Sequence, residues 1–155
     1  MKGLLITASA GLVVALTAGA AFAKPRFTVI HMTKNFNTSL FPAECLGTVT
    51  TETLPSQKGE LITWVIKNSN GHNNDDKCPS FDATKVELHF KDDVMGTAAK
   101  RVLKPGTTAS QITGTVDAGI PKGAHKYFVF YKSLQAGPDP EIEVACTDCG
   151  GSGRK

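Results

Sequence analysis

GELITWVIKNSNGHN, residues 59–73, joins a strand core to a polar loop. Leu61, Thr63, Val65 and Lys67 alternate with Ile62, Trp64 and Ile66, so one face of an extended 60–67 segment is wholly apolar. That two-residue period is the signature of a strand laid against a core, and Trp64, the only tryptophan in the chain, is the expected centrepiece. Residues 68–76 then turn polar and rich in Asn, which reads as an exposed loop presenting His72.

The rest of the chain repeats the strand pattern. Runs of β-branched and aromatic residues at 26–32, 47–53, 85–90, 100–103, 110–116, 125–131 and 141–145 are bounded by Gly, Pro, Asn and Asp. Turn chemistry at Ser56-Gln57-Lys58-Gly59, Lys104-Pro105-Gly106 and Pro121-Lys122-Gly123 keeps reversing the direction. The expectation is an all-β sandwich or barrel of about seven to eight strands. In the 85–90 strand, Val86, Leu88 and Phe90 face the core and His89 faces solvent. The 125–131 strand carries aromatic residues on both faces, with His125, Tyr127, Val129 and Tyr131 on one and Lys126, Phe128 and Phe130 on the other. One aromatic face must be core, and Tyr127 with Tyr131 is the candidate for an exposed binding surface.

Residues 1–23 read as a secretory signal, with Lys2 ahead of a small apolar run and Ala21-Phe22-Ala23 as the cleavage site. Removing those 23 residues from the 155 leaves 132, enough for one domain at 24–145 followed by a flexible tail at 146–155. Loss of Lys2 lowers the net charge from +3 to +2, and the charges are mixed rather than clustered, which argues against a nucleic-acid groove. No later apolar run is long enough to span a bilayer, so the processed chain is expected without a membrane span, in a bacterial periplasm or the medium.

The strand and loop of 59–73 resemble the entry strand of the cupredoxins, in which a GDxVTW-like strand runs into an Asn-rich loop carrying a copper-binding histidine. GAHKYFVFYKSLQAGPDPEIEV, residues 123–144, is similar to the terminal hairpin of the same family. The resemblance covers about residues 47–145 and implies a cupredoxin-like fold, a two-sheet Greek-key sandwich. Blue copper needs two imidazoles and a thiolate in a trigonal arrangement. The stretch SLQAGPDPEIEV, 133–144, where the family's ligand loop would fall, has no Cys, His or Met, so a standard type 1 copper centre is not expected. The metal-binding alternative is a non-standard copper site using His72 with His31, Met32 or His125.

Four cysteines in an exported chain imply disulfides, and Cys45–Cys78 with Cys146–Cys149 is the favoured pairing, crossed pairing being its rival. Cys146-Thr147-Asp148-Cys149 is also a CxxC motif, which makes a thiol-redox protein the second alternative, but the sequence shows no helix to activate its thiolate. CTDCGGSG, 146–153, is similar to one CxxCxGxG module of the zinc-binding region of DnaJ-type chaperones, and a single module supplies only two of four ligands. Neither GxSxG nor HExxH occurs, and the acidic residues sit in turns. The expectation is therefore a non-enzymatic binding module of the cell envelope, without a cofactor, whose partner is an unidentified envelope protein or small ligand.

Overall fold

Ten strands run through the described residues: β1 (Arg26–Lys34), β2 (Cys45–Val49), β3 (Thr53–Ser56), β4 (Leu61–Asn68), β5 (Val86–Phe90), β6 (Val102–Leu103), β7 (Gln111–Thr115), β8 (Gly123–Tyr131), β9 (Leu134–Gln135) and β10 (Glu141–Val144). The computed structural model describes residues 25–37, 39–69, 74–96 and 101–145, and the expected signal segment 1–23, His72, Cys146 and Cys149 lie outside them. Two short 3-10 turns, Asn74–Asp76 and Ala83–Lys85, are the only helical pieces among the described residues.

The strands form two sheets. One has the order β2-β1-β4-β7, with β1 parallel to β4 and the other pairs antiparallel. The second has the order β3-β10-β8-β5-β6, with β3 parallel to β10 and β9 added beside β8. The expected strand 47–53 is two strands belonging to different sheets. Its run of Thr and Val favours extended backbone throughout, and residues 50–52 form the corner at which the chain crosses from one sheet to the other.

Ile62, Trp64 and Ile66 of β4 are buried, as their alternation requires. The Trp64 ring packs edge-on against Phe90 and Tyr127, with centroids 6.1 and 5.8 Å away, and its indole N–H donates to the Tyr127 hydroxyl at 3.1 Å. A buried indole needs such a partner, because an orphaned N–H costs as much as its lost hydration. Along β8 the inward face is the one with Tyr127, Val129 and Tyr131, all fully buried. The expected exposed tyrosine surface is thus corrected: the tyrosines are core, and Phe128 and Phe130 take the outer face. There His89 stacks on Phe130 at 4.0 Å and Lys91 lies 5.2 Å over Phe128, so both rings are half-covered by polar neighbours.

Two devices close one side of the sandwich and the turn before β4. The Gly47 N–H donates to Ala136 O across the sheets at 2.5 Å, and a Cβ on Gly137 would meet Gly47 O at 2.1 Å, so both positions need glycine for close approach. At the turn before β4, the buried Glu60 carboxylate accepts from the Gln57 N–H at 2.8 Å and from Arg26 Nε at 2.9 Å.

Candidate binding surface

The β1–β2 loop, the β4–β5 connection and the β8–β9 turn gather at one end of the sandwich, because β1, β4 and β8 all finish there. The β1–β2 loop is built around Asn35. Its side-chain amide donates to Phe41 O and Ala43 O, each at 2.8 Å, its carbonyl accepts the Asn37 N–H at 2.9 Å, and its own N–H donates to Glu44 O at 3.0 Å. One residue thereby satisfies the loop's turning backbone.

The neighbouring loops are fastened to it. The Cys45–Cys78 disulfide joins the first residue of β2 to the β4–β5 connection, with 5.4 Å between Cα atoms and both cysteines buried. Asn68 accepts the Cys78 N–H at 2.9 Å. The Tyr131 hydroxyl accepts the Asp82 N–H at 3.1 Å, and its ring stacks on Phe81 at 5.9 Å. Lys132 pairs with Glu44, which raises the lysine pKa through that hydrogen bond. The Thr84 hydroxyl and N–H both donate to Asp82 and hold its carboxyl below the usual range. Lys132 and Ser133, with φ of 49° and 65°, make the two-residue β8–β9 turn entirely in left-handed backbone without a glycine.

This braced end presents apolar side chains to solvent. Phe36 is 74% exposed, Leu40 71% and Leu134 44%. A cleft of about 320 Å³ opens beside Phe36, walled by Thr33, Asn35, Leu46 and Asp76, and Lys34 Nζ rests 5.2 Å over the Phe36 ring. Large apolar groups held out on a rigid loop differ from isolated surface leucines, because nothing in the loop can fold over them. The sequence reading passed over these three residues. A signal was present: Phe36 and Leu40 interrupt an otherwise polar Asn, Thr and Ser loop.

Among the described residues, the metal-ligand candidates His31, Met32 and His125 do not come together. His31 and Met32 are adjacent in β1 and so point to opposite faces. His31 lies on the outer face with Nδ1 2.9 Å from Ser69 O, whereas Met32 is sealed in the core, where a Cβ on Gly47 would meet its sulfur at 3.0 Å. His125 is in the other sheet at the opposite end of the sandwich. It lies six steps along β8 from Tyr131, roughly 20 Å at the rise of a strand. There it is buried between loops, with Nδ1 2.7 Å from Asp92 Oδ2 and Nε2 2.9 Å from Pro121 O. Among the described residues, no three His, Cys, Asp or Glu side chains are grouped to hold a metal ion. The expected pairing of Cys45 with Cys78 is present.

The two sheets and their strand order make an all-β sandwich, the fold class that the resemblance to the cupredoxins implies. No protein-family model matches the chain, and no curated protein does. Among solved structures, it is similar to a proline-to-glycine mutant of amicyanin in its reduced Cu(I) form at pH 4, with 13% identity, 79% of this chain and 84% of that one covered, and a TM-score of 0.41. A methionine-to-alanine mutant of amicyanin, Cu(I), is similar at 15% identity, with 76% and 80% covered and a TM-score of 0.37. Likeness at this level assigns no residue a role. No helix among the described residues is long and apolar enough to cross a membrane.

Proposed function

We propose that the chain is an exported, non-enzymatic binding module of the cell envelope that docks a partner through its braced loop end. One observation carries the proposal: Phe36 and Leu40, the two most exposed large hydrophobic side chains among the described residues, stand on a loop that Asn35 and the Cys45–Cys78 disulfide hold in shape. A preorganised apolar tip loses little conformational entropy on docking, and that saving appears as affinity. The partner's matching surface is apolar, with an acidic group suited to Lys34 at its rim.

Photo-crosslinking tests the docking role. A photoreactive aromatic residue in place of Phe36 or Leu40, in cells exporting the protein, should give one discrete adduct that is lost when the remaining apolar positions at this end are changed to serine. The same group in place of Ala118, in the turn at the opposite end, should give none. Equal labelling from both ends, or no adduct from either loop position, refutes the docking role. Copper titration of the purified protein separates this reading from a copper-binding or electron-transfer protein using His72 with non-standard ligands, the alternative that the sequence suggests. A tight stoichiometric site that disappears in His72→Ala would replace the binding-module proposal.

A further inference from the structure

The end of the sandwich opposite the Phe36 loop is covered by residues 91–96, which follow β5, and by residues 116–122, which join β7 to β8. Val94, Val116 and Ile120 of these connections are buried, and the Asp117 N–H donates to Val94 O at 2.7 Å. His125 of β8 stands between them and is only 6% exposed. Its Nδ1 lies 2.7 Å from Asp92 Oδ2 and its Nε2 2.9 Å from Pro121 O, so one ring touches both connections. Asp92 Oδ1 in turn accepts the Val94 N–H at 3.1 Å.

Counting protons shows what this arrangement needs. A backbone carbonyl oxygen only accepts, and so does a carboxylate. Two hydrogen bonds from the ring therefore take a proton on each nitrogen, and moving one of them from Nδ1 to Asp92 Oδ2 leaves the count at two. With one proton fewer, a lone pair of the ring faces a lone pair of oxygen at one connection, and burial keeps water from coming between them. The charged groups around the ring are engaged elsewhere. Asp93 pairs with Arg101 at 2.7 Å, Asp117 Oδ1 accepts the Gly119 N–H at 2.7 Å, and Lys126 pairs with Asp139 at 2.7 Å. Lys91 lies over Phe128, Lys122 beside Pro121 is exposed, and Glu60, on the turn with Lys58, is bonded to Arg26. In β10 the residue opposite His125 is Ile142, with Glu141 and Glu143 on the other face. Among the described residues, Asp92 is the one charged group hydrogen-bonded to the ring.

We infer that His125 is a proton-operated clasp: with two protons in the bridge it ties the 91–96 and 116–122 connections together, and loss of one proton as the pH rises releases one of them. The sign follows from the count. The closed end holds one proton more than the open end, so acid favours closure and alkali favours opening. The opening is local, because the Trp64–Tyr127 and Tyr131–Asp82 hydrogen bonds do not involve this ring. It gives solvent access to Val94 and Ile120, an apolar surface at the end remote from Phe36 and Leu40.

Amide hydrogen exchange of the purified full chain tests the clasp. The Asp117 N–H is the reporter, because it bridges the two connections, and the Ile66 N–H, bonded to Ser110 O at 2.8 Å, is the reference within a sheet. Corrected for the intrinsic rise of exchange with pH, protection of Asp117 should fall at least about tenfold between about pH 6 and about pH 9 while that of Ile66 holds. Asp92→Asn supplies the missing donor. Its oxygen still accepts the Val94 N–H, its NH₂ donates to a bare Nδ1, and a neutral ring keeps its one proton for Pro121 O. Protection of Asp117 in that variant should be high and level across the range. His125→Gln keeps a donor for only one of the two acceptors and should show low protection throughout, with Ile66 reporting that the fold is intact. Level protection in the wild type overturns the inference, as does a fall that persists in Asp92→Asn. A fall shared equally by Ile66 also overturns it, because the opening would then be global.

Discussion

Replacing Tyr127 by Phe isolates one hydrogen bond at the centre of the core. The ring contacts survive, with Trp64 at 5.8 Å and Phe90 at 5.4 Å, and only the oxygen that accepts the Trp64 N–H is lost. Both residues are fully buried, so no water replaces it. An unpaired donor in that setting costs about 1–3 kcal/mol. The single tryptophan makes urea unfolding directly readable by fluorescence. Taking about 2 kcal/mol and a urea slope of about 2 kcal/mol/M, the midpoint should fall by about 1 M.

The same hydroxyl leaves a second signature at high pH. Burial pushes Tyr127 up to about 12 from an ordinary value of about 10, because the phenolate is disfavoured away from water. The native state therefore holds this proton more tightly than the unfolded state. Its stabilising contribution is complete below pH 10 and lost as the pH rises towards 12, amounting to about 2 kcal/mol at pH 12. Tyr127→Phe should be less stable than wild type at pH 7 and lose less further stability between pH 9 and 12. An unchanged urea midpoint together with an unchanged alkaline slope refutes the placement of this bond.

Changing both Cys45 and Cys78 to alanine opens a cross-link with a sequence separation of 33, and the chain-entropy relation puts the loss at roughly 3–4 kcal/mol. Calorimetry should show a melting temperature lower by about 10 °C or more, and a change below about 3 °C would refute the structural role of the disulfide. Asn35→Ala removes three side-chain hydrogen bonds from the β1–β2 loop and should cost about 1–3 kcal/mol in denaturant titration while speeding proteolysis between Phe36 and Leu40. Unchanged proteolysis would mean that the loop is held by something else. Gly137→Ala forces a methyl to within 2.1 Å of Gly47 O and should cost at least about 2 kcal/mol, whereas a wild-type melting temperature would deny the close approach.

The strand around Trp64 was legible because one of its faces is uniformly apolar, so its register has one favourable solution. β8 was not legible in the same way. Aromatic residues occupy both of its faces, and alternation identifies two faces without saying which is buried. The hydroxyls decide it. Tyr127 and Tyr131 find partners in Trp64 and Asp82, which only the folded chain supplies, while Phe128 and Phe130 receive Lys91 and His89 above them. Residues 47–53 were read as one strand because the break at 50–52 is a change of sheet rather than of local propensity. Among the candidate metal ligands, spacing along the chain could not show that Met32 faces inward, that His31 faces outward and that His125 belongs to the opposite end.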